Sequence, residues 1–296
     1  MAAEADREGA LRPSAPRLLA VGHVTRDVGP EGERLGGSVV YAALTARRLG
    51  WSSAIATSAD GDLAGEPQLA GVRRFVGRSP DVTRFRNRYD ALGRREQELL
   101  SRAAPVEPAL VEESWRAPDV LLLAPVAGEL PAGTAHGFRA GLVGATGQGW
   151  LRAVGRDGRS VVARDWPDPD GDLAGVEVLF LSLEDVAGDV SKARARLEQV
   201  PLVALTLGER GVELHAREVT RRLRGAARVE VDPTGAGDVF AAAFLVRYHE
   251  TRDPVEAASF ACCAASFAVE AVGASGLPDR AQLERRRREE GGRRPC

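Results

Sequence analysis

Short apolar runs alternate with helical segments along most of the chain, and this alternation restricts the possible folds more than any other feature. The apolar runs lie at 17–25, 52–58, 120–126, 141–146, 176–182 and 202–208. Such short, continuous runs are typical of parallel strands that are buried on both faces. Helical spacing of apolar residues occurs at 36–50, 184–199, 235–249 and 254–271. The sequence therefore predicts an α/β fold with a doubly wound, mainly parallel sheet.

Two segments depart from this alternation. At 82–100, two runs of alternating polar residues flank Ala91-Leu92-Gly93, which predicts a polar hairpin outside the main core. At 211–232, the runs GVELHARE, VTRRLRG and ARVEVD predict a meander of three strands. An arginine-rich helix is expected near the end of the chain.

Composition excludes several classes of function. The chain has 296 residues, which suffice for one large domain, and its formal net charge of −2 gives no reason to expect nucleic acid as a partner. Of the 40 basic residues only Lys192 is a lysine, so 40 − 1 leaves 39 arginines. No apolar run approaches the ~18 residues of a membrane span, so no membrane association is expected.

Cysteine usage and the N-terminal residues bear on location. Cys262, Cys263 and Cys296 have neither metal-site spacing nor the pattern of a disulfide framework, so we expect buried structural thiols in a reducing compartment. The N-terminal residues are polar and lack the apolar region of a secretory signal. A cytoplasmic location is therefore the expectation.

The segment Asp232-Pro-Thr-Gly-Ala-Gly-Asp238 precedes a long apolar helix and is the strongest candidate site. Backbone N–H groups in a first helical turn lack partners, and the helix dipole adds partial positive charge there. Gly235 and Gly237 would let this backbone approach an anion closely. Asp238, in the first turn, could accept the proton of an attacking hydroxyl.

A simpler interpretation of Asp238 is that it only stabilises the start of the helix, which is worth about 0.3–1 kcal/mol. Other nucleotide motifs do not fit. The chain has no G-x-x-x-x-G-K-[ST] loop, and Phe240 stands where a dinucleotide fingerprint needs its third glycine.

Three segments carry a resemblance to a known family. VDPTGAGDVFAAAF (231–244) resembles the C-terminal signature of the PfkB (ribokinase-like) carbohydrate kinases. GGSVVYAALTARRLG (36–50) resembles their N-terminal Gly-Gly motif, and LTLGERGVEL (205–214) their nucleotide-binding strand and turn. The similarity in order and spacing extends from about Leu18 to Pro278.

The resemblance implies a ribokinase-like three-layer α/β sandwich with a small β lid. The kinase domain is expected at 17–284, with lid segments at about 28–38 and 82–100. Residues 1–16 are then a flexible N-terminal extension, and residues 285–296 a basic C-terminal tail.

The resemblance also implies roles for individual residues. Asp238 would be the base, and Gly235, Ala236 and Gly237 would form the anion hole. Substrate-binding positions would be Asp27, Gly36, Gly37, Tyr41, Gln148 and Arg152. Nucleotide-binding positions would be Thr206, Gly208, Gly211 and Thr234. Lid side chains that could touch substrate are Asn87, Tyr89, Arg95 and Gln97, for which a solvated face is the equal alternative.

Three departures from the family pattern matter. Ser182 and Asp185 replace the Asn and Glu that organise Mg²⁺ through water, so Asp185 or the neighbouring Glu184 would take that part. Tyr41 replaces a substrate-binding Asn of many sugar kinases. Gln148 and Arg152, together with the arginine-rich lid, point to the myo-inositol-kinase-like branch.

The sequence therefore predicts an ATP-dependent phosphotransferase that acts on a hydroxyl of a small sugar or cyclitol. Mg²⁺ is the expected cofactor, and Gly273 and Ser275 lie where some family members bind a monovalent cation. The alternatives are a nucleoside kinase of the same fold and a non-catalytic protein that binds a sugar or nucleotide. A homodimer formed through the lid is a further expectation.

Overall fold

The structure is a computed structural model that describes residues 15–29, 32–61, 63, 65–89, 95–217, 219–225 and 228–291. The strands are β1 Arg17–Val21, β2 Thr25–Gly29, β3 Gly32–Gly36, β4 Ser52–Ala59, β5 Arg73–Arg78, β6 Thr83–Tyr89, β7 Arg95–Ser101, β8 Val120–Leu123, β9 Val143–Thr146, β10 Arg152–Val154, β11 Val161–Ala163, β12 Val178–Ser182, β13 Leu202–Thr206, β14 Val212–Ala216 and β15 Val219–Leu223. The α-helices are α1 Ser38–Arg48, α2 Pro169–Asp172, α3 Val190–Ala195, α4 Ala236–Thr251, α5 Pro254–Ala268 and α6 Arg280–Gly291.

A nine-stranded sheet with the order β15-β14-β13-β12-β9-β8-β1-β4-β5 forms the centre of the molecule. The strands from β13 to β5 all pair in parallel, while β14 and β15 add an antiparallel edge. The central strand β1 is buried from Leu18 to Val21, as its continuous apolar run predicts. The predicted mainly parallel sheet is confirmed.

Apolar side chains on the two faces of this sheet form two separate cores. Leu18 and Ala20 face one core, which α1, α4 and α5 cover, whereas Leu19 and Val21 face the other. The alternation follows from the two-residue period of a strand. In the first core α4 packs so closely that a Cβ at Gly144 would lie 2.6 Å from Leu245 Cδ1. Helices on both faces give the three-layer arrangement.

A second sheet of four strands, in the order β3-β2-β6-β7, contains the predicted polar hairpin, and among its described residues only Leu35 of β3 belongs to either core. We call this sheet the lid. Its strands β2 and β3 form an antiparallel pair, and β6 runs parallel to β2. A small ribbon of β10 and β11 extends the lid, since Leu99 N donates to Arg159 O at 2.9 Å.

The helix predicted at 184–199 is wrong in its first half. The regular helix covers only Val190–Ala195, followed by a 3₁₀ turn at Arg196–Glu198. Ala187 and Gly188 both have positive φ, at 52° and 81°, which a right-handed helix excludes. Asp189 then begins the helix, because its carboxylate accepts from Ser191 N at 2.9 Å.

Two expectations about the last third of the chain also need correction. The described part of 227–232 is not a strand, since Val231 N and Asp232 N both donate to the single carbonyl of Val269. The segment 285–291 is not a tail, because α6 extends through Gly291. Arg286 donates to Glu270 at 2.8 Å and stacks on the ring of Phe267. Both interactions hold α6 against the end of α5.

Candidate active site

The turn before α4 is held by a network around Asp232. One carboxylate oxygen of Asp232 accepts from Thr234 N at 3.0 Å, and the other accepts from Gly273 N at 3.1 Å. Burial is the largest single cause and tends to raise the pKa of Asp232. The hydrogen bonds from Thr234 and Gly273 together outweigh it and leave the pKa below its usual value. Gly235 then begins the helix with a left-handed φ of 80°. The turn is therefore built in part by a carboxylate of its own motif.

Asp238 lies in the first turn of α4, as predicted, and its side chain is partly exposed. Gly237 is open, since a Cβ at this position would meet nothing within 4 Å. The amide of Ala236 is one of the three expected in the anion hole, and it donates to Pro233 O at 3.2 Å. The predicted anion hole therefore depends on the amides of Gly235 and Gly237.

Tyr41, on α1, is the buried centre of the site. Its ring packs on the turn, because a Cβ at Gly235 would lie 2.5 Å from Tyr41 Cδ1 and Cε1. The phenol is 5% exposed. Burial is the largest cause that raises the pKa of Tyr41, and the carboxylates of Asp238, Asp27 and Asp232 raise it further. The three carboxylates thus act electrostatically on one phenol and favour its protonated form.

Asp27, on β2, reaches this centre from the lid. Its carboxylate occupies the space above Gly36, where a Cβ would lie 2.5 Å from Asp27 Oδ2. A Cβ at Gly37 would lie 2.5 Å from His23 O. The Gly-Gly pair therefore lets β3 and the start of α1 approach β2 closely, which is a packing role beside the predicted one.

Arg34 is a residue of the site that the sequence analysis missed. Arg34 lies on β3 of the lid, directly opposite Asp27 on β2. Its positive charge opposes the carboxylates at Tyr41 and contributes to the lowered pKa of Asp232. The signal that could have found it is the short G-E-R-L-G strand, which pairs with the strand that carries Asp27.

The other side chains expected to bind substrate lie in the ribbon, in the lid and in the turn after β9. Arg152, on β10, donates to Gln97 Oε1 at 3.2 Å, and Gln97 donates to Asn87 Oδ1 at 3.0 Å. These two hydrogen bonds connect the ribbon to the lid. Gln148 lies in the turn after β9 and is half-buried. The side chains of Tyr89 and Arg95 lie outside the described residues.

The predicted nucleotide-binding residues lie in the turn between β13 and β14. Thr206 ends β13 and donates to Leu181 O at 3.3 Å, and Gly208 to Gly211 form the turn itself. Beside the turn is a cavity of ≈ 460 Å³. Its lining residues are Glu209, Arg210, Arg222, Arg224 and Gly225. Three arginines make this a basic cavity. The sequence analysis did not find it, because Arg210 lies in the turn whereas Arg222 and Arg224 lie on β15 and just after it.

The residues expected to organise Mg²⁺ are engaged with one another. Asp185 Oδ2 accepts from the backbone N and the hydroxyl of Ser182, at 2.8 and 2.7 Å. Glu184 is exposed. No cluster of three or more His, Cys, Asp or Glu side chains is placed to hold a metal in the described part of the chain. These side chains do not fit direct coordination of a metal.

The remaining expected sites can be placed briefly. Ser275 donates to Val272 O at 2.7 Å in the loop after α5, beside Gly273. Cys263 is buried and Cys262 partly buried, as expected for structural thiols, and burial raises the pKa of both. Cys296 lies outside the described residues. Across the described ranges, no helix combines the length and the apolar character that a membrane crossing requires.

Comparison with known proteins tests the resemblance. Residues 177–280 match the profile of the pfkB family carbohydrate kinases. This range includes the turn at 206–211, the basic cavity and the start of α4. None of the curated protein sequences matches the chain significantly.

Solved structures of kinases share the fold. A pyrophosphate-dependent kinase in the ribokinase family, complexed with a pyrophosphate analog and myo-inositol, has a TM-score of 0.75 at 21% identity, and the match covers 91% of this chain and 99% of that chain. Ribokinase from Thermotoga maritima has a TM-score of 0.70 at 20% identity, with coverages of 92% and 98%. Arabidopsis thaliana ribokinase complexed with ribose and ATP has a TM-score of 0.67 at 19% identity, with coverages of 92% and 98%.

The profile matches residues 177–280, and the solved structures share the fold of more than nine-tenths of the chain, so the protein has the ribokinase fold with a segment similar to the pfkB family carbohydrate kinases. The fold class predicted from the sequence is confirmed, and the predicted resemblance to the pfkB family is borne out at 177–280. At these identities the solved structures establish the fold, and the acceptor and the donor are matters for proposal.

Proposed function

We propose that this protein transfers a phosphoryl group to a hydroxyl of a small polyhydroxylated acceptor, a sugar or a cyclitol. The observation that supports this best is the packing of Tyr41 against Gly235, next to the open position at Gly237, in a site where the carboxylates of Asp27 and Asp238 act electrostatically on the phenol. Carboxylates are suited to hold acceptor hydroxyls, and the helix start is suited to an anion.

In the proposed reaction Asp238 accepts the proton of the attacking hydroxyl. The new bond forms between that oxygen and phosphorus, the bond to the leaving phosphate breaks, and the proton remains on Asp238. The amides of Gly235 and Gly237 would stabilise the charge on the transferring group. Tyr41 stays protonated, since its pKa is raised, and can donate its hydrogen bond within the site.

The acceptor end favours a polar ring over a purine or pyrimidine. Asp27, Asn87, Gln97 and Arg152 are hydrogen-bonding side chains, and Tyr41 supplies the aromatic surface. A myo-inositol-bound kinase among the structural neighbours agrees with a cyclitol. A nucleoside would need a more apolar lid, so a nucleoside kinase is the weaker alternative.

The donor is ATP or inorganic pyrophosphate. ATP follows from the family resemblance and from the neighbour that was solved with ATP. The basic cavity favours pyrophosphate as a second candidate, because arginines suit a compact anion that has no adenine ring to hold. A neighbour solved with a pyrophosphate analog agrees with this candidate.

Mg²⁺ stays a prediction. When bound it would neutralise charge on the donor phosphates. Because Asp185 is engaged by Ser182, we derive no step through a metal held by these side chains. The monovalent cation near Gly273, the cytoplasmic location and a homodimer formed through the lid are likewise predictions that stand on the sequence.

The test is a screen for the phosphorylated product itself, detected by mass spectrometry so that either donor is seen. Pentoses, hexoses, cyclitols and nucleosides are each combined with ATP or pyrophosphate, with Mg²⁺ and with a chelator. We expect an acceptor-dependent product, and we expect Asp238→Asn to lower turnover by on the order of 10² or more. The free energy of unfolding of Asp238→Asn should differ from that of the wild type by less than about 1 kcal/mol.

The matched control is Asp170→Asn, which removes another first-turn carboxylate, on the short helix α2. It should retain full turnover. If Asp238→Asn is as active as the control, Asp238 only stabilises the helix. If no acceptor yields product while a sugar or nucleotide raises the melting temperature, the protein is a non-catalytic binding protein of this fold.

A further inference from the structure

The lid has two chemically different faces. Strand register places Asp27 opposite Arg34 on β3 and opposite Phe85 on β6, and it places Asn87 opposite Gln97. Because paired residues share a face and alternate residues along a strand share a face, these five lie on one side. We call this side the inner face, since its Asp27 carboxylate lies over Gly36 at the start of the site and acts electrostatically on Tyr41.

The outer face is a set of ion pairs between neighbouring strands. Arg84 Nε lies 3.1 Å from Glu33 Oε1, and Arg86 Nη1 lies 3.2 Å from Glu98 Oε2. Both arginines are paired with carboxylates of the lid itself. Such exposed pairs contribute little to stability, about 0–1 kcal/mol each.

On the inner face, the positive charge of Arg34 acts on the group formed by Tyr41 and the three carboxylates. Asp27, Asp232 and Asp238 carry three negative charges, so with Arg34 the four side chains sum to 1 − 3 = −2. A phosphoryl donor is itself an anion. Such a site would repel the donor strongly without a cation, and it would oppose the charge that spreads over the transferring group.

We propose that Arg34 is the lid's contribution to phosphoryl transfer: its guanidinium offsets the carboxylates around Tyr41 and stabilises the transferring group at the turn before α4. This role rests on the proposed kinase function. Arg34 neither gives nor takes a proton in this step. The proton still passes from the acceptor hydroxyl to Asp238. Arg34 acts because an arginine presents a planar pair of donors to phosphate oxygens.

The first experiment compares Arg34→Ala with Arg86→Ala, a matched control on the outer face of the same lid. We expect Arg34→Ala to lower kcat by about 10²-fold, the usual loss for one donor to a transition-state anion. The KM for the acceptor should change by less than about threefold, because the proposed partner of Arg34 is the phosphoryl group and not the acceptor. Arg86→Ala should keep the wild-type kcat. Equal kcat values for the two variants would overturn the proposal.

A second readout separates a direct role from a loss of lid structure. Added guanidinium ion at millimolar concentration should restore part of the kcat of Arg34→Ala and should have no such effect on Arg86→Ala. Arg34→Lys should retain the charge and recover only part of the rate. If Arg34→Ala loses activity without rescue, and Arg34→Gln and Arg34→Lys are equally inactive with lowered melting temperatures, the residue is structural and the proposal is wrong.

The proposal can also be tested separately from the kinase function itself. Calorimetric titration with inorganic pyrophosphate, without an acceptor, measures whether the site receives an anion. Arg34→Ala should bind pyrophosphate at least about tenfold more weakly than wild type and Arg86→Ala, a change of 1.4 kcal/mol. A wild-type protein that binds pyrophosphate through Arg34 but phosphorylates nothing would contradict the kinase function alone. Unchanged binding together with unchanged kcat would contradict the role of Arg34 alone.

Discussion

At the scale of single residues, Gly235 connects the turn to the buried phenol. Its φ of 80° lies in the left-handed region, and a Cβ there would overlap the ring of Tyr41 at 2.5 Å. Two residues later, Gly237 is in the first turn of α4 and has nothing within 4 Å of an added Cβ. The two glycines of one motif therefore have different physical reasons to be glycine.

This difference predicts the effects of two substitutions. Gly235→Ala should lower the free energy of unfolding by about 1–3 kcal/mol, since it combines backbone strain with displacement of the Tyr41 ring. Gly237→Ala should be neutral or stabilising by up to about 1 kcal/mol, because alanine favours a helix. Urea denaturation of both variants measures this. Equal destabilisation would show that the ring does not pack on Gly235.

At the scale of elements, the lid is attached to the central sheet through a buried polar cluster at its root. Thr83, the first residue of β6, accepts from Ala103 N at 3.0 Å and lies 2.8 Å from His23 Nδ1. His23 Nε2 lies 2.8 Å from Ala104 O, so a neutral imidazole with its proton on Nε2 satisfies both ring nitrogens. Glu129, almost fully buried, accepts from His23 N at 2.8 Å. The cluster connects the residues before β2, at the start of β6 and after β7 to one another.

Thr83→Val tests this attachment with little change of shape. It leaves His23 Nδ1 and the Ala103 amide without this partner, which should cost about 1–3 kcal/mol of unfolding free energy. Amide exchange in β6 and β7 should become faster if the lid opens more often. Thr45→Val is the control, because among the described residues the buried Thr45 hydroxyl has no hydrogen-bond partner. It should be neutral or stabilising, and equal losses in both variants would exclude a special role for the root.

At the scale of the whole molecule, ion pairs join the last three helices. Arg247 on α4 donates to Glu256 on α5 at 3.0 and 2.6 Å, and Arg287 on α6 donates to the same carboxylate at 2.7 Å. The arginines also surround Phe260. Burial tends to raise the pKa of Glu256, but the hydrogen bonds from Arg287 and Arg247 outweigh it and leave the pKa below the ordinary 4.5.

The sign of the pH dependence follows. A lowered folded-state pKa contributes stability that is fully present above the unfolded-state value of 4.5 and is lost as pH falls through the lower, folded-state pKa. We expect the free energy of unfolding to decrease below pH 4.5, and less steeply in Glu256→Gln, which lacks the titrating group. Urea denaturation of both proteins between neutral pH and pH 3 measures the two slopes. Identical slopes would show that Glu256 does not contribute to acid unfolding.

The turn and helix at 231–244 could be predicted from the sequence because their cause is local. Glycine positions, a first-turn carboxylate and apolar spacing act within a few residues of one another. The same reasoning overextended the helix at 184–199, because apolar spacing does not reveal that Ala187 and Gly188 adopt positive φ and interrupt the segment. It also predicted a strand at 227–232, where no neighbouring strand pairs with the described residues.

By itself the sequence determined the alternation of strands and helices and the resemblance to the pfkB family, because each depends on patterns of adjacent residues. Only the tertiary structure decided which distant groups meet. Asp27 and Arg34 come from one hairpin, Tyr41 from α1 and Asp238 from the last third of the chain. Their charges influence one another through space over a few ångströms, and chain separation carries no information about that distance. For this reason Arg34 and the basic cavity became visible only in the folded molecule.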